Sequence, residues 1–226
     1  MIPLRDTSKS RTIPYVNYGL ITVCGLLFLY ELSLGPRVDH FIRLFGIVPY
    51  RISAAVFQGH IVLRPLLPLL TSMFLHGGWL HLLGNMLYLY IFGDNVEDRI
   101  GHVGYLFFFL MSGIGASLVQ VYSNPMSDVP VIGASGAIAG VLGAYFLLFP
   151  KARVLTMIPL FVFFPVVEVS AVFFLGFWFL MQFLEGTASA GAGAAGGGVA
   201  WWAHAGGFIV GAALLPIFLL FRRLAR

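Results

Sequence analysis

The sequence predicts an all-α fold: a polytopic membrane protein built as a bundle of six helical spans. Three observations carry that prediction. Of 226 residues, 59% are hydrophobic and only 10% charged, whereas soluble domains carry about a quarter charged residues. Apolar runs long enough to cross a membrane, about 20 residues each, recur along the chain. The basic residues gather between and beyond those runs, as the flanks of membrane spans do. Spans and short connections use nearly all of the sequence. It therefore reads as a single membrane domain over residues 1–226, with a short N-terminal tail at 1–12 and a short basic tail at 222–226.

Span one covers about residues 13–32. Basic residues precede it, but the apolar run is too long for a cleaved leader and no A-x-A site follows, so it reads as an uncleaved span. The first connection mixes Arg37, Arg43, Arg51 and Arg64 with Phe41, Ile42, Leu44, Phe45, Ile47 and Val48. That composition suits a segment in the interface plane with snorkelling arginines. Spans two, three and four cover about 78–93, 103–122 and 131–149. Between Arg153 and Glu168, Pro159 and Pro165 bar a continuous helix. The stretch reads as a cytoplasmic-side interfacial segment that puts Glu168 near the headgroups. Span five follows at about 166–184, then a Gly/Ala-rich run at 185–202 that reads as a flexible outer loop or a frayed entry to span six, at about 199–221.

Loop charges set the orientation. Arg5, Lys9 and Arg11 precede the first span, Arg222, Arg223 and Arg226 follow the last, and Lys151 and Arg153 follow span four. The connections after spans three and five hold only Asp128 and Glu185. Both termini are therefore expected on the cytoplasmic side of a cell (inner) membrane, with the arginines of the first connection counting against that topology. The net charge of +4 lies at span flanks, so no nucleic-acid patch is implied. Cys24, the single cysteine, excludes an intrachain disulfide. The histidines show no zinc spacing, and HExxH, CxxC and phosphate-binding loops are absent. No metal and no other cofactor is implied.

With this topology, spans two, four and six enter from the outer face. His81 and Asn85 lie about one and two turns into span two; Ser135 and His204 lie about one turn into spans four and six. At 1.5 Å rise per residue all four sit roughly 6–12 Å below the outer boundary. His81, Asn85, Tyr88 and Phe92 share one stripe of span two, and His204 shares a stripe with Gly207 and Gly211. Ser135 borders the stripe of Gly136, Gly140 and Gly143. Small residues at this spacing let helix backbones approach closely, so spans four and six should pack together and bring Ser135 to His204. Neutral imidazole can take a proton from a serine hydroxyl. The Asn85 amide, His81 and the Ser135 backbone N–H can stabilise an oxyanion. No acidic residue lies at matching depth, so a Ser–His dyad is expected rather than a triad. Taken singly, each residue has a plainer reading. Ser135 suits packing, Asn85 suits interhelical hydrogen bonding, His76 suits a loop or cap, and Trp201 and Trp202 suit an aromatic belt. The shared depth sets chemistry level with these plainer readings.

The segments HGGWLHLLGNM (76–86), DNVEDRIG (94–101), GASGAIAGVLGAY (133–145) and AHAGG (203–207) resemble the rhomboid intramembrane serine proteases of prokaryotic type, in order and spacing. The resemblance implies Ser135 as nucleophile, His204 as base, and His81 and Asn85 at the oxyanion site. Gly133 falls in the family's GxS pattern, and Glu97 and Arg99 match positions that stabilise the connection after span two. Two departures are visible: Ala139 stands where some members have a tyrosine that packs on the histidine, and no Trp-Arg pair precedes His76. The expected activity is hydrolysis of a peptide bond in or near the outer end of another protein's transmembrane segment. Substrates should carry helix-weakening residues and, by the resemblance, a small side chain at the cut. An inactive relative that binds or escorts membrane helices is the alternative. A transporter fits less well, because spans two, four and six become apolar below Asn85, Ala139 and Gly211. Span five, with Phe177, Trp178 and Phe179, and the first connection are the candidate gates. Partners are transmembrane proteins and lipid; the sequence leaves the oligomeric state open.

Overall fold

The computed structural model describes residues 1–57, 66–191 and 199–224. Arg64, Arg226 and residues 192–198 of the Gly/Ala-rich run lie outside the described residues. In chain order the elements are β1 (Ile2–Asp6), α1 (Tyr15–Ser33), α2 (Val38–Phe45), α3 (Pro49–Phe57), α4 (Pro68–Thr71), α5 (Trp79–Ile100), α6 (His102–Ser123), α7 (Ser135–Leu148), β2 (Arg153–Met157), β3 (Val166–Ser170), α8 (Ala171–Gly191) and α9 (Trp201–Leu224). Six helices of 14 to 24 residues thus coincide with the six predicted apolar runs. Four of them, α1, α6, α8 and α9, are long and apolar enough to cross a membrane.

The other two explain themselves by position. At 14 residues, α7 is roughly 21 Å long, short of a hydrocarbon core about 30 Å thick. Every residue from Ala137 to Tyr145 is buried, because α5, α6, α8 and α9 surround it. Lipid does not touch most of its length. The last turns of α5 carry Asp94, Glu97, Asp98 and Arg99 beyond the expected end of span two. Glu97 is fully buried there, accepting from the backbone N–H groups of Val16 (3.0 Å) and Asn17 (2.8 Å). It satisfies donors that the first turn of α1 cannot pair internally. At Gly101, whose φ is 81°, the chain reverses into α6.

The glycine stripes do what their spacing predicts. A Cβ on Gly143 would collide with the carbonyl of Phe208, one on Gly207 with that of Gly136, and one on Gly211 with that of Gly140. Backbone contact between α7 and α9 holds only while those positions lack side chains.

The helical bundle carries one small addition. Residues assigned to the N-terminal tail and to the interfacial segment form a three-stranded antiparallel sheet, β1-β2-β3. Arg153 pairs with Ser170 and Met157 with Val166, while Ile2 pairs with Met157 and Asp6 with Val154. The prolines do bar a helix, but Val154 and Thr156 on one side and Val166, Val167 and Val169 on the other favour strands. Span five accordingly begins at Ala171, not 166, and α8 runs into the predicted outer loop as far as Gly191. Glu168 sits on β3, about half exposed and 3.8 Å from Arg153. The first connection forms short helices, with Arg51 donating to the Arg43 carbonyl. β1, the α7–α8 connection, the α5–α6 corner and Arg222, which approaches Gly101, all lie at one end of the bundle.

Candidate functional site

The other end of α7 begins at Ser135. The preceding strand-like stretch is anchored by Val131 and Ile47, which exchange backbone hydrogen bonds of 2.7 and 3.0 Å. Gly133 N–H then donates to the Ser72 carbonyl at 2.9 Å. Gly133 has φ of 123°, and a Cβ there would lie 2.6 Å from His81 Nε2. Both facts require glycine. This turn swings the chain under α5 and starts α7 with the Ser135 side chain facing α9.

There Ser135 Oγ and His204 Nε2 are 2.8 Å apart. The second ring nitrogen of His204 is 2.6 Å from Gln182 Oε1, on α8. An amide oxygen only accepts, so Nδ1 carries the proton and Nε2 is the acceptor for the serine hydroxyl. The ring lies against Trp178 (centroids 5.9 Å, interplanar 34°) and meets Trp201 edge-on at 6.3 Å. These indoles occupy the role left open by Ala139.

From α5, His81 and Asn85 face the same space. His81 Nδ1 accepts a long hydrogen bond from Gly77 N–H at 3.4 Å, which assigns the proton of the neutral ring to Nε2. Asn85 is 8% exposed and its amide nitrogen has no hydrogen-bond partner among the described residues. A cavity of about 670 Å³ connects them, lined by His81, Asn85, Tyr88, Ser135, Trp178, Gln182, Trp201 and His204 among others. A hydroxyl bonded to an oriented imidazole, with two N–H donors across a water-accessible hollow, can undergo nucleophilic activation and stabilise a developing oxyanion.

The expected set of Ser135, His204, His81, Asn85 and Gly133 comes together in one place, with Gly136 and Gly207 at the α7–α9 crossing beside it. Glu97 and Arg99 belong to the opposite end, where Arg99 lies 5.6 Å from the Phe149 ring. His76 is in a loop, as read, yet 2% exposed and edge-on to His81 at 5.2 Å. Trp201 faces the cavity and not only an aromatic belt; Trp202 packs on Phe183 at 5.7 Å. Gln182 was missed. A polar amide in an apolar span needs a partner, and its i, i+4 relation to Trp178 was the signal.

A family model described as a rhomboid domain matches residues 64–221. Rhomboid-like protein 11, chloroplastic, of Arabidopsis thaliana is 35% identical over 120 residues, covering 51% of this chain and 39% of that protein. Rhomboid protein 1, mitochondrial, of Saccharomyces cerevisiae is 33% identical over 146 residues, or 62% and 38%. YdcA of Bacillus subtilis, provisionally named a rhomboid protease, is 36% identical over 77 residues, or 34% and 38%. The matched segments span under half the length of each relative. They come from a plant, a yeast and a bacterium, so they carry the family and not its prokaryotic branch.

Proposed function

The chain belongs to the rhomboid family, and from that premise we propose that it is an intramembrane serine endopeptidase using a Ser135–His204 dyad. The observation that carries the reading is the 2.8 Å contact between Ser135 Oγ and an Nε2 left unprotonated by its ring's other bond. Ser135 Oγ attacks the scissile carbonyl carbon while its proton passes to His204 Nε2. The oxyanion is held by N–H groups of Asn85, His81 and the Ser135 backbone. His204 then returns the proton to the departing amine, leaving an acyl-enzyme. Water, deprotonated by His204, attacks the acyl carbon, and the proton returns to Ser135 as the acid product leaves.

Substrates are segments of membrane proteins with helix-weakening residues near the outer boundary, since a regular helix hides its carbonyls in hydrogen bonds. The protein crosses a cell membrane six times as one domain, with both termini cytoplasmic. Supporting that orientation are the basic flanks and the gathering of β1, Arg222 and the Lys151–Arg153 connection at the end remote from Ser135.

The test reconstitutes wild type, Ser135→Ala and His204→Ala in liposomes with a single-span substrate bearing a Gly/Ala-rich outer segment. Cleavage by wild type alone is expected, with each substitution lowering the rate at least about 10³-fold. Cleavage that survives Ser135→Ala overturns the dyad. Failure of Ser135 to react with a fluorophosphonate points instead to a protein that binds membrane helices without cutting them.

A further inference from the structure

Gln182 has no part in the dyad as proposed, yet it is the only described side chain bonded to the far side of the His204 ring. We infer that Gln182 is a positioning residue: its amide oxygen fixes the His204 tautomer that presents Nε2 to Ser135. The inference rests on the Ser135–His204 reading.

The argument begins with imidazole. A neutral ring carries one proton, and the partner of one nitrogen decides which nitrogen holds it. Gln182 Oε1 lies 2.6 Å from Nδ1, so the proton sits there and Nε2 is basic toward the hydroxyl 2.8 Å away. Among the described residues no carboxylate hydrogen-bonds to this ring, so the place that an acid fills in a triad is held by a neutral amide. Gln182 is 8% exposed, so in Gln182→Leu an apolar side chain fills the place of the acceptor. One turn earlier on α8, Trp178 lies against the same ring at 5.9 Å. A single helix face therefore sets both the tilt and the protonation pattern of His204. The groups facing the ring from the other elements are Ser135 on α7 and His81 on α5, with Trp201 on α9 itself; of these only His81 carries a second imidazole.

An amide does not offset the charge of the imidazolium formed during catalysis, so its contribution is smaller than that of a buried acid. Partners that orient a metal-bound histidine through its second nitrogen typically contribute 10–100-fold, and an effect of the same order is expected for this ring. The experiment uses the full chain in liposomes and compares wild type, Gln182→Leu and Gln182→Glu. It reads kcat, KM, the kcat–pH profile, fluorophosphonate labelling at Ser135 and thermal unfolding. Gln182→Leu is expected to lower kcat and the labelling rate by about 10–100-fold with KM unchanged. Gln182→Glu, nearly the same shape, is expected to restore most of kcat. It also moves the acid limb of the profile to higher pH, because a carboxylate acceptor favours the imidazolium.

A packing role alone would lower activity in step with thermal stability and leave the limb in place; that result overturns the inference. So does wild-type kcat and labelling in Gln182→Leu. If Gln182→Leu does not fold, the limb of Gln182→Glu decides. Failure of the dyad is separately visible, as cleavage by Ser135→Ala or no labelling of wild type, and the inference then fails with it.

Discussion

The amide nitrogen of Asn85 is buried and donates to no group among the described residues. An unpaired buried donor costs roughly 1–3 kcal/mol, so Asn85 lowers the stability of the resting state and is useful only when an acceptor arrives. Asn85→Ala is therefore expected to lower kcat by about 10²–10³-fold while leaving the thermal midpoint unchanged or raised. Parallel cleavage and unfolding measurements check this; a midpoint that falls along with kcat assigns Asn85 to packing. Gly133 makes the complementary case. Its φ of 123° and the 2.6 Å approach to His81 Nε2 mean that Gly133→Ala displaces both the turn and the ring. Loss of fluorophosphonate labelling at Ser135 in a protein that still reconstitutes is the expected result. At this scale Ser135, His204, His81 and Asn85 were legible because each is a polar group in an apolar run and their depths agree. Gln182 carried a weaker signal, a polar amide one turn from Trp178 in an apolar run, and its partner depends on how far α8 leans toward α9, which no local pattern states.

Among elements, the α7–α9 contact is the one most exposed to a single atom. Gly143 touches the Phe208 carbonyl directly, whereas a Cβ on Gly176 of α8 would find its nearest neighbour, Phe146, at 4.0 Å. Gly143→Ala must push two backbones apart, at a cost of about 1–3 kcal/mol or more. Gly176→Ala adds a side chain in open van der Waals contact and should not destabilise. Thermal unfolding of both variants in the same detergent measures the difference, and equal midpoints would refute backbone contact as the basis of this crossing. Because α7 carries Ser135 and α9 carries His204, Gly143→Ala should also slow cleavage. The small-residue stripes announced this pairing in the sequence, since few other arrangements place glycines at that spacing within apolar runs. The strands were less visible. Five residues in β2 and five in β3 give too little periodicity beside long apolar runs, and β1 lies far away in the sequence. Only the tertiary fold pairs Ile2 with Met157.

Across the whole molecule, Asp6 ties the sheet to the bundle. Tyr145, from the end of α7 remote from Ser135, donates its hydroxyl to Asp6, and Asn95 of α5 donates at 3.1 Å. Burial pushes the Asp6 carboxyl up from 3.8 to about 6, outweighing the opposing effect of the Tyr145 hydroxyl and reinforced by the nearby charge of Asp94. The folded protein thus holds this proton more tightly than the unfolded chain. Its contribution is fully present below about pH 4 and is lost as pH rises through about 6. Docking of β1 should therefore tighten on acidification from neutrality and loosen on the alkaline side. Hydrogen exchange of the residue 2–6 amides, corrected for intrinsic rates, measures it: protection should rise between pH 8 and pH 5 in the wild type. Asp6→Asn, which cannot ionise but still accepts from Tyr145, should show the high protection at both pH values. Equal wild-type protection at the two ends would mean that ionisation of Asp6 does not control docking, and protection that falls toward pH 5 would mean that the carboxylate is the docked form. Cleavage at the far end of α7 should follow this change only if the strand's grip on Tyr145 sets where the helix sits, so an unchanged rate in Asp6→Asn would confine the effect to the sheet.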